Sequence, residues 1–429
     1  MRILIKNGRV VDPANHRDGR YDVLVEEGRV ARVAHEISRD DAAADKVIDA
    51  ADKVVMPGFI DLHVHLREPG FEYKETIITG CQAAAKGGVT SVCPMPNTNP
   101  VIDTPERVRD LLERGKDAAV HILPVGAVTV GQQGKELADI EGMQKAGAVA
   151  LSEDGKSVMD SCLFRKSMEE AARLEIPMFS HCEDKALVAG GVMNAGEKAM
   201  ELGLPGITNA VEDVIVARDI FLSKETGARL HLCHCSTEDS AALVKLAKEQ
   251  GLHVTGEVCP HHFTMSDDEI TRDDGRFKMN PPLRSRRDVE KLREALRDDV
   301  MDVISTDHAP HSAEEKAGSM REAPFGIVGL ETSFALGYTV LVQGGYLSLS
   351  QLVEKMSVNP ARVLGISGGS LTEGAAADLV IADISHEYTI DSSTFVSKGK
   401  NTPFDGKKVT GRVEMTLVDG EIVYSAGTQ

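Results

Sequence analysis

The sequence predicts a parallel (β/α)₈ barrel carrying a small β-sandwich built from both chain ends. Three observations support this α/β class. Eight short β-rich runs lie at 58–66, 89–95, 119–127, 148–153, 177–182, 229–235, 252–258 and 301–307, with amphipathic helical stretches between them. The two ends share a different texture, that of hairpins. Finally, 429 residues are too many for one ordinary compact domain. They suit a barrel of about 250 residues with extra modules.

Near the start, YDVLVEEGRVARV (21–33) is two β-rich runs around Glu27-Gly28, a hairpin signal. Near the end, VEMTLVDGEIVY (413–424) repeats it around Asp419-Gly420, and Gly374–Asp383 reads as a strand after a turn. Residues 1–55 and 368–429 are therefore expected to form one β-module, and 56–367 the barrel. Helices are expected at 75–86, 104–116, 160–174, 207–226, 238–250 and 286–297. The alternative is a doubly wound open sheet. It is weakened because no G-x-G-x-x-G follows the first run.

Aromatic residues are only 4% and Trp is absent, so the core must be built mainly from Ala, Val, Leu, Ile and Met. The net charge of −19 argues against nucleic acid as a partner. An anionic substrate would need a local positive site to overcome that field. The seven cysteines are odd in number and form no C-x-x-C pair, which points to reduced thiols and a cytoplasmic protein. No signal-peptide core and no membrane-spanning apolar run is read.

A barrel places its chemistry at the C-terminal ends of its strands. His63 and His65 end the first run, Asp154 the fourth, His181 the fifth and Asp307 the eighth, and His234 nears the end of the sixth. Imidazole and carboxylate are good zinc ligands. Residues two apart on a strand share a face, so His63 and His65 reach one metal together. Arg67 follows on that face if the strand persists. The other histidines are given plainer roles. His16, His35 and His386 are expected at the surface, and His121 at the wrong end of its strand. His231 should face away from His234, while His261 and His262 are candidates for a supporting layer. Cys182, Cys233 and Cys235 read as small core residues.

These residues resemble the amidohydrolase superfamily and, more closely, the type I dihydroorotases. The resemblance covers nearly the whole chain. It rests on GFIDLHVHLREPG (58–70), MPNT (95–98), ALSEDG (150–155), SHCED (180–184), HLCHCST (231–237), MNPPLR (279–284), STDHAPH (305–311) and APFGIVGLET (323–332). It implies a distorted barrel with a terminal β-sandwich. It also implies reversible, zinc-dependent conversion of L-dihydroorotate and water to N-carbamoyl-L-aspartate, a step of pyrimidine synthesis. His63, His65, His181, His234 and Asp307 resemble the zinc ligands, and Asp154 the carboxylate between two metals. Many relatives use a carbamylated lysine there. Lys156 is the nearby lysine, but Ser-Glu-Asp-Gly matches the subgroup that uses aspartate, so one zinc or two stays open. Asp307 is expected to act as general base and then general acid. Arg67, Asn97 and His311 resemble the clamp on the substrate carboxylate, for which the planar guanidinium fork is suited. Asn280 resembles a contact to the ring amides, and backbone groups of Pro324, Phe325 and Gly326 are expected to add hydrogen bonds. By itself each clamp residue has a plainer reading: Arg67 paired with Glu68 or Glu72, Asn97 in an Asx-turn, His311 as a helix cap.

Two rival readings stand beside this one. One is another cyclic-amide hydrolase, an allantoinase or hydantoinase. The other is a non-catalytic scaffold for aspartate transcarbamoylase, which is disfavoured because every proposed ligand is present. Self-association into a homo-oligomer is expected, and association with that transcarbamoylase remains open to an active chain.

Overall fold

The structure, a computed structural model, describes residues 1–427. The last two residues of the expected terminal module, Thr428 and Gln429, lie outside the described residues. The two chain ends build two sheets. A four-stranded sheet runs Arg29–Ala34, Asp22–Glu26, Arg2–Lys6, Lys46–Asp49. A six-stranded sheet runs Glu421–Ser425, Lys408–Val418, Leu379–Thr389, Val54–Pro57, Arg9–Asp12, Arg17–Arg20. Ile3, Val23, Val25 and Val30 of the first sheet pack with Val10, Val55, Ile381 and Leu417 of the second in one buried cluster. Alternating side chains thus close the two faces on each other. Both expected hairpins form. Glu27 and Gly28 have φ of 49° and 78°, and Asp419 and Gly420 have 47° and 73°. Positive φ at both central residues matches the right-handed twist of the flanking strands.

Each of the eight expected runs contains a barrel strand. In order they are Phe59–Val64, Val89–Pro94, a split third strand, Ala150–Ser152, Met178–Ser180, Leu230–Leu232, Val254–Val258 and Val303–Ile304. Neighbours pair in parallel. The third strand consists of His121–Ile122, paired to the second strand, and Val125–Ala127, paired to the fourth. Pro124 lies in the gap, and with no N–H to give it only accepts, from Val149 N at 2.9 Å. The ring closes where His65 N donates to His308 O at 2.8 Å.

The expected helices appear at Ile77–Lys86, Pro105–Arg114, Ser161–Arg173, Ala210–Thr226, Glu238–Glu249 and Arg286–Arg297. Their starts are written locally. Thr76, Thr104, Asp160, Thr237 and Ser285 each accept a backbone N–H of the first turn. The doubly wound alternative is set aside by the closed order of strands.

The C-terminal part does not stay in the sandwich throughout. Between two of its strands, the segment around 397–401 crosses to the barrel mouth. There Asn401 Nδ2 donates to Ala309 O at 3.2 Å and Gly326 O at 3.0 Å, and Asn401 Oδ1 accepts from His311 N at 3.0 Å. Among the described residues, no helix is long and apolar enough to cross a membrane.

Candidate active site

The strands are shorter than the runs that predicted them, and most of the expected ligands stand just past the strand ends. His63 is inside the first strand and His65 follows it. Asp154, His181, His234 and Asp307 lie one to three residues beyond theirs. Two of these positions are left-handed, His234 at φ 36° and Asp307 at φ 48°. Such backbone is uncommon for side-chain-bearing residues and collects at functional sites.

The six side chains converge. Asp154 Oδ1 lies 3.2 Å from His63 Nε2, 3.4 Å from His181 Nδ1 and 3.9 Å from His234 Nε2. Asp154 Oδ2 lies 3.5 Å from His65 Nε2. Asp307 Oδ1 lies 3.1 Å from His65 Nε2 and 3.6 Å from His63 Nε2. His181 Nδ1 and His234 Nε2 are 2.9 Å apart. All six are almost wholly buried. Burial opposes the charge on Asp154, but the surrounding imidazoles outweigh it and hold its carboxyl well below the ordinary range. Asp307 is likewise lowered against its burial, first by the adjoining imidazole of His65.

This donor set fits a metal ion. Two triads, His63–His65–Asp154 and Asp154–His181–His234, each keep their ligand atoms within 4.8 Å of one another, and both contain Asp154. His63 Nε2 and Asp154 Oδ1 are buried without a hydrogen-bond partner despite their closeness. Buried polar atoms are rarely left so, and here their lone pairs share a common centre. Lys156 stands apart, exposed, with its ammonium on Gln132 O at 3.2 Å.

The candidate ligand rings are fixed from behind. Glu257 Oε1 accepts from His63 Nδ1 at 3.0 Å and from His234 N at 3.1 Å, which leaves His63 Nε2 for the centre. Asn97 Oδ1 accepts from His65 Nδ1 at 2.9 Å, and Asn97 Nδ2 donates to Asp154 Oδ2 at 3.2 Å. Such partners set tautomer and ring orientation. Sequence reasoning missed Glu257, although a lone glutamate amid the apolar seventh strand was a visible signal. It also misplaced His231. The ring does not face away but meets the same carboxylate, with Nε2 at 3.1 Å from Glu257 Oε2. The reason is that the sixth strand ends at Leu232, so strict alternation does not extend to the left-handed His234.

Arg67 also reaches the site by a route other than the one expected. The strand ends at Val64, and Arg67 sits in a turn at φ 62°. Its Nε donates to Pro310 O at 3.1 Å and its Nη2 lies 3.3 Å from His311 Nε2. Glu68 instead pairs with Arg114 at 3.4 Å, and Glu72 accepts from Gly70 N at 2.9 Å. His311 donates from Nε2 to Phe325 O at 2.8 Å, with Nδ1 3.1 Å from the Lys74 ammonium. Burial, then the charges of Arg67, Lys74 and Lys316, pushes its pKa down to about 3, so it is neutral. Ser312, not His311, caps the short helix that follows.

A cavity of about 160 Å³ joins these parts; it is lined by His65, Arg67, Asn97, Asp154, His181, His234, Asn280, Asp307, Phe325 and Gly326, with Gly155 and Ala309. His63 lies fully buried beneath it. Asn280 Nδ2 donates to Glu183 Oε2. Pro324 is not part of the lining; its carbonyl accepts from Lys316 at 2.9 Å instead. His262 supports the wall, its Nε2 on Pro281 O at 3.0 Å, whereas His261 is buried and pushed down to about 4, chiefly by burial. The plainer readings of the other groups hold for His121, which meets Asp378 at 3.1 Å on the sandwich side, and for the buried Cys182, Cys233 and Cys235.

The sequence matches the family described as dihydro-orotase-like over residues 52–240 and the amidohydrolase family over residues 147–424. It is 49% identical over 423 residues to the dihydroorotase of Pelotomaculum thermopropionicum, covering 99% of this chain and 98% of that protein. It is 47% identical over 425 residues to the dihydroorotase of Syntrophus aciditrophicus, covering 99% of each. Among solved structures, the L-hydantoinase (dihydropyrimidinase) from Arthrobacter aurescens superposes with a TM-score of 0.90 at 30% identity, over 99% of this chain and 96% of that one. Both the family and the histidine–aspartate clusters point to a metal cofactor. The chain belongs to the dihydroorotase family of amidohydrolase enzymes.

Proposed function

We propose that this enzyme interconverts L-dihydroorotate and N-carbamoyl-L-aspartate, with zinc held by His63, His65, Asp154, His181, His234 and Asp307. The observation that carries the reading is one cavity with two ends. The carboxylate–imidazole cluster forms one end, and Arg67, braced by Pro310 O and packed beside His311, forms the other. A cyclic amide bearing a carboxylate has the matching polarity. The substantial identity to curated dihydroorotases favours this ring over the hydantoin ring.

Zinc bound at these ligands would acidify a water and polarise the carbonyl under attack. The chain's own residues do the rest. Arg67 binds the substrate carboxylate through its guanidinium, whose Nη1 has no protein acceptor among the described residues. The neutral His311 cannot compete for the anion as a cation would. Its Nε2–H holds Phe325 O in place. Asp307 Oδ1, a carboxylate at neutral pH, takes the proton released as the ring carbonyl is attacked and returns it to the departing ring nitrogen. Ring closure reverses these transfers. Asn97 keeps His65 and Asp154 oriented throughout, and its second amide hydrogen has no protein acceptor among the described residues. The lining backbone of Phe325 and Gly326, with Asn280, shapes the wall against the ring.

We assign the protein to the cytoplasm on the strength of its seven unpaired thiols, six of them buried. The test of substrate is direct: assay the purified protein with dihydroorotate, hydantoin and allantoin. Turnover of dihydroorotate is expected. Turnover of hydantoin with none of dihydroorotate would overturn the assignment.

A further inference from the structure

Lysine is seldom fully buried unless its charge is met. Lys316 is only 4% exposed, and no carboxylate lies within ion-pair distance of its ammonium among the described residues. Instead Nζ donates to three backbone carbonyls, Lys278 O, Pro324 O and Gly326 O, each at 2.9 Å. Three donors meet three acceptors, so the group is saturated. The acceptors belong to two separate segments. One leads into Asn280, and the other carries Phe325 and Gly326. Both contribute to the lining of the cavity.

The surroundings fix this arrangement from several sides. Gly326 N donates back to Lys278 O at 3.0 Å. The Lys278 ammonium lies 4.4 Å from the centre of the Phe325 ring. Asn401 adds a second donor to Gly326 O at 3.0 Å. Gly275 packs so close that a Cβ there would lie 2.6 Å from Lys316 O. Burial, then the charge of Lys278, lowers the Lys316 pKa to about 7, whereas three carbonyl acceptors favour the protonated form, which alone has three N–H donors.

We propose that Lys316 is a positioning residue for the substrate pocket: its ammonium staples the 324–326 wall to the 278–280 wall and so sets the gap into which the ring fits. It touches no reacting atom. The proposal rests on the reading of this cavity as the substrate site. Without the staple, three carbonyls lose a charged donor, and the Phe325–Gly326 wall is free to move away from Asn280. The consequence falls on binding before chemistry, because the metal ligands and Asp307 are held by other contacts.

The test is Lys316→Met, which keeps an unbranched stem and removes the donors. The expected result is a KM for dihydroorotate raised about tenfold or more, with kcat changed less than about threefold. Bound metal should be unchanged. Amide hydrogen exchange should quicken at 278–281 and 323–327 and not elsewhere. A KM within about twofold of wild type, or exchange that quickens uniformly, would overturn the proposal. If Lys316→Met does not accumulate as folded protein, Lys316→Arg decides: a cation of the wrong shape should raise KM in the same way, and a wild-type KM would overturn the staple. A wild-type protein that ignores dihydroorotate would instead sink the functional reading, and the exchange measurement would still test the staple.

Discussion

Glu257 holds two histidines at once, His63 through one carboxylate oxygen and His231 through the other. Burial raises the cost of its charge, and the hydrogen bonds from His231 and His63 outweigh that and keep its pKa well below the ordinary value. Glu257→Gln would leave a similar shape but weaken the hold on His63 Nδ1. Metal affinity should fall about 10- to 100-fold, measured by competition with a chelator. Wild-type affinity in the variant would show that His63 needs no such support. At Arg67, a lysine keeps the charge and loses the planar fork and the Nε contact to Pro310 O. Arg67→Lys should raise KM about 10- to 100-fold with a smaller change in kcat, and an unchanged KM would refute the clamp. Asp307→Asn should lower kcat about 10²-fold or more, since it removes the proton carrier. The six converging residues were legible because each closes a strand-like run. Asn401 was not, because its partners lie about 75 to 90 residues away, and Lys316 was not, because its partners are backbone carbonyls of loops that no sequence pattern marks. A lysine in Ser-Ala-Glu-Glu-Lys looks like surface until the chain is folded.

At the scale of elements, the loops after the first two strands are locked together. Gly70 has φ +98°, and a Cβ there would sit 2.1 Å from Asn99 O. Neither the backbone angle nor the space admits a side chain. Gly70→Ala should therefore cost about 2 kcal/mol or more in denaturant unfolding. It should also raise KM, because it pushes the Arg67 turn away from the loop that carries Asn97. An alanine variant of wild-type stability would show that these loops are not in such contact. Helices and hairpins were readable because their signals are local, such as Thr104 before Pro105 or Glu27-Gly28. Strand ends were less so. The run 119–127 reads as one strand, yet Pro124 divides its pairing between two neighbours. Past Val64 and Leu232 the alternation rule fails, because Arg67 and His234 take left-handed backbone.

At the scale of the whole molecule, the sandwich and the barrel share the C-terminal chain, whose 397–401 segment braces the mouth of the site through Asn401. The sequence could suggest a module from both ends. It could not show that part of it returns to the active face, since that depends on contacts across about 75 to 90 residues of chain. As proposed ligands, these six buried residues come from five strands, so a metal held by them would cross-link the barrel. Chelation should lower the melting temperature by several degrees, and zinc should restore it. A melt indifferent to chelator would mean that the cluster holds no metal. The central claim is that Asp154, common to both triads, holds the metal on which turnover depends. The most direct measurement is a zinc count paired with dihydroorotate turnover in wild type and Asp154→Ala. The account predicts bound zinc and turnover in the first and loss of both in the second; an Asp154→Ala protein with full zinc and wild-type turnover would contradict it.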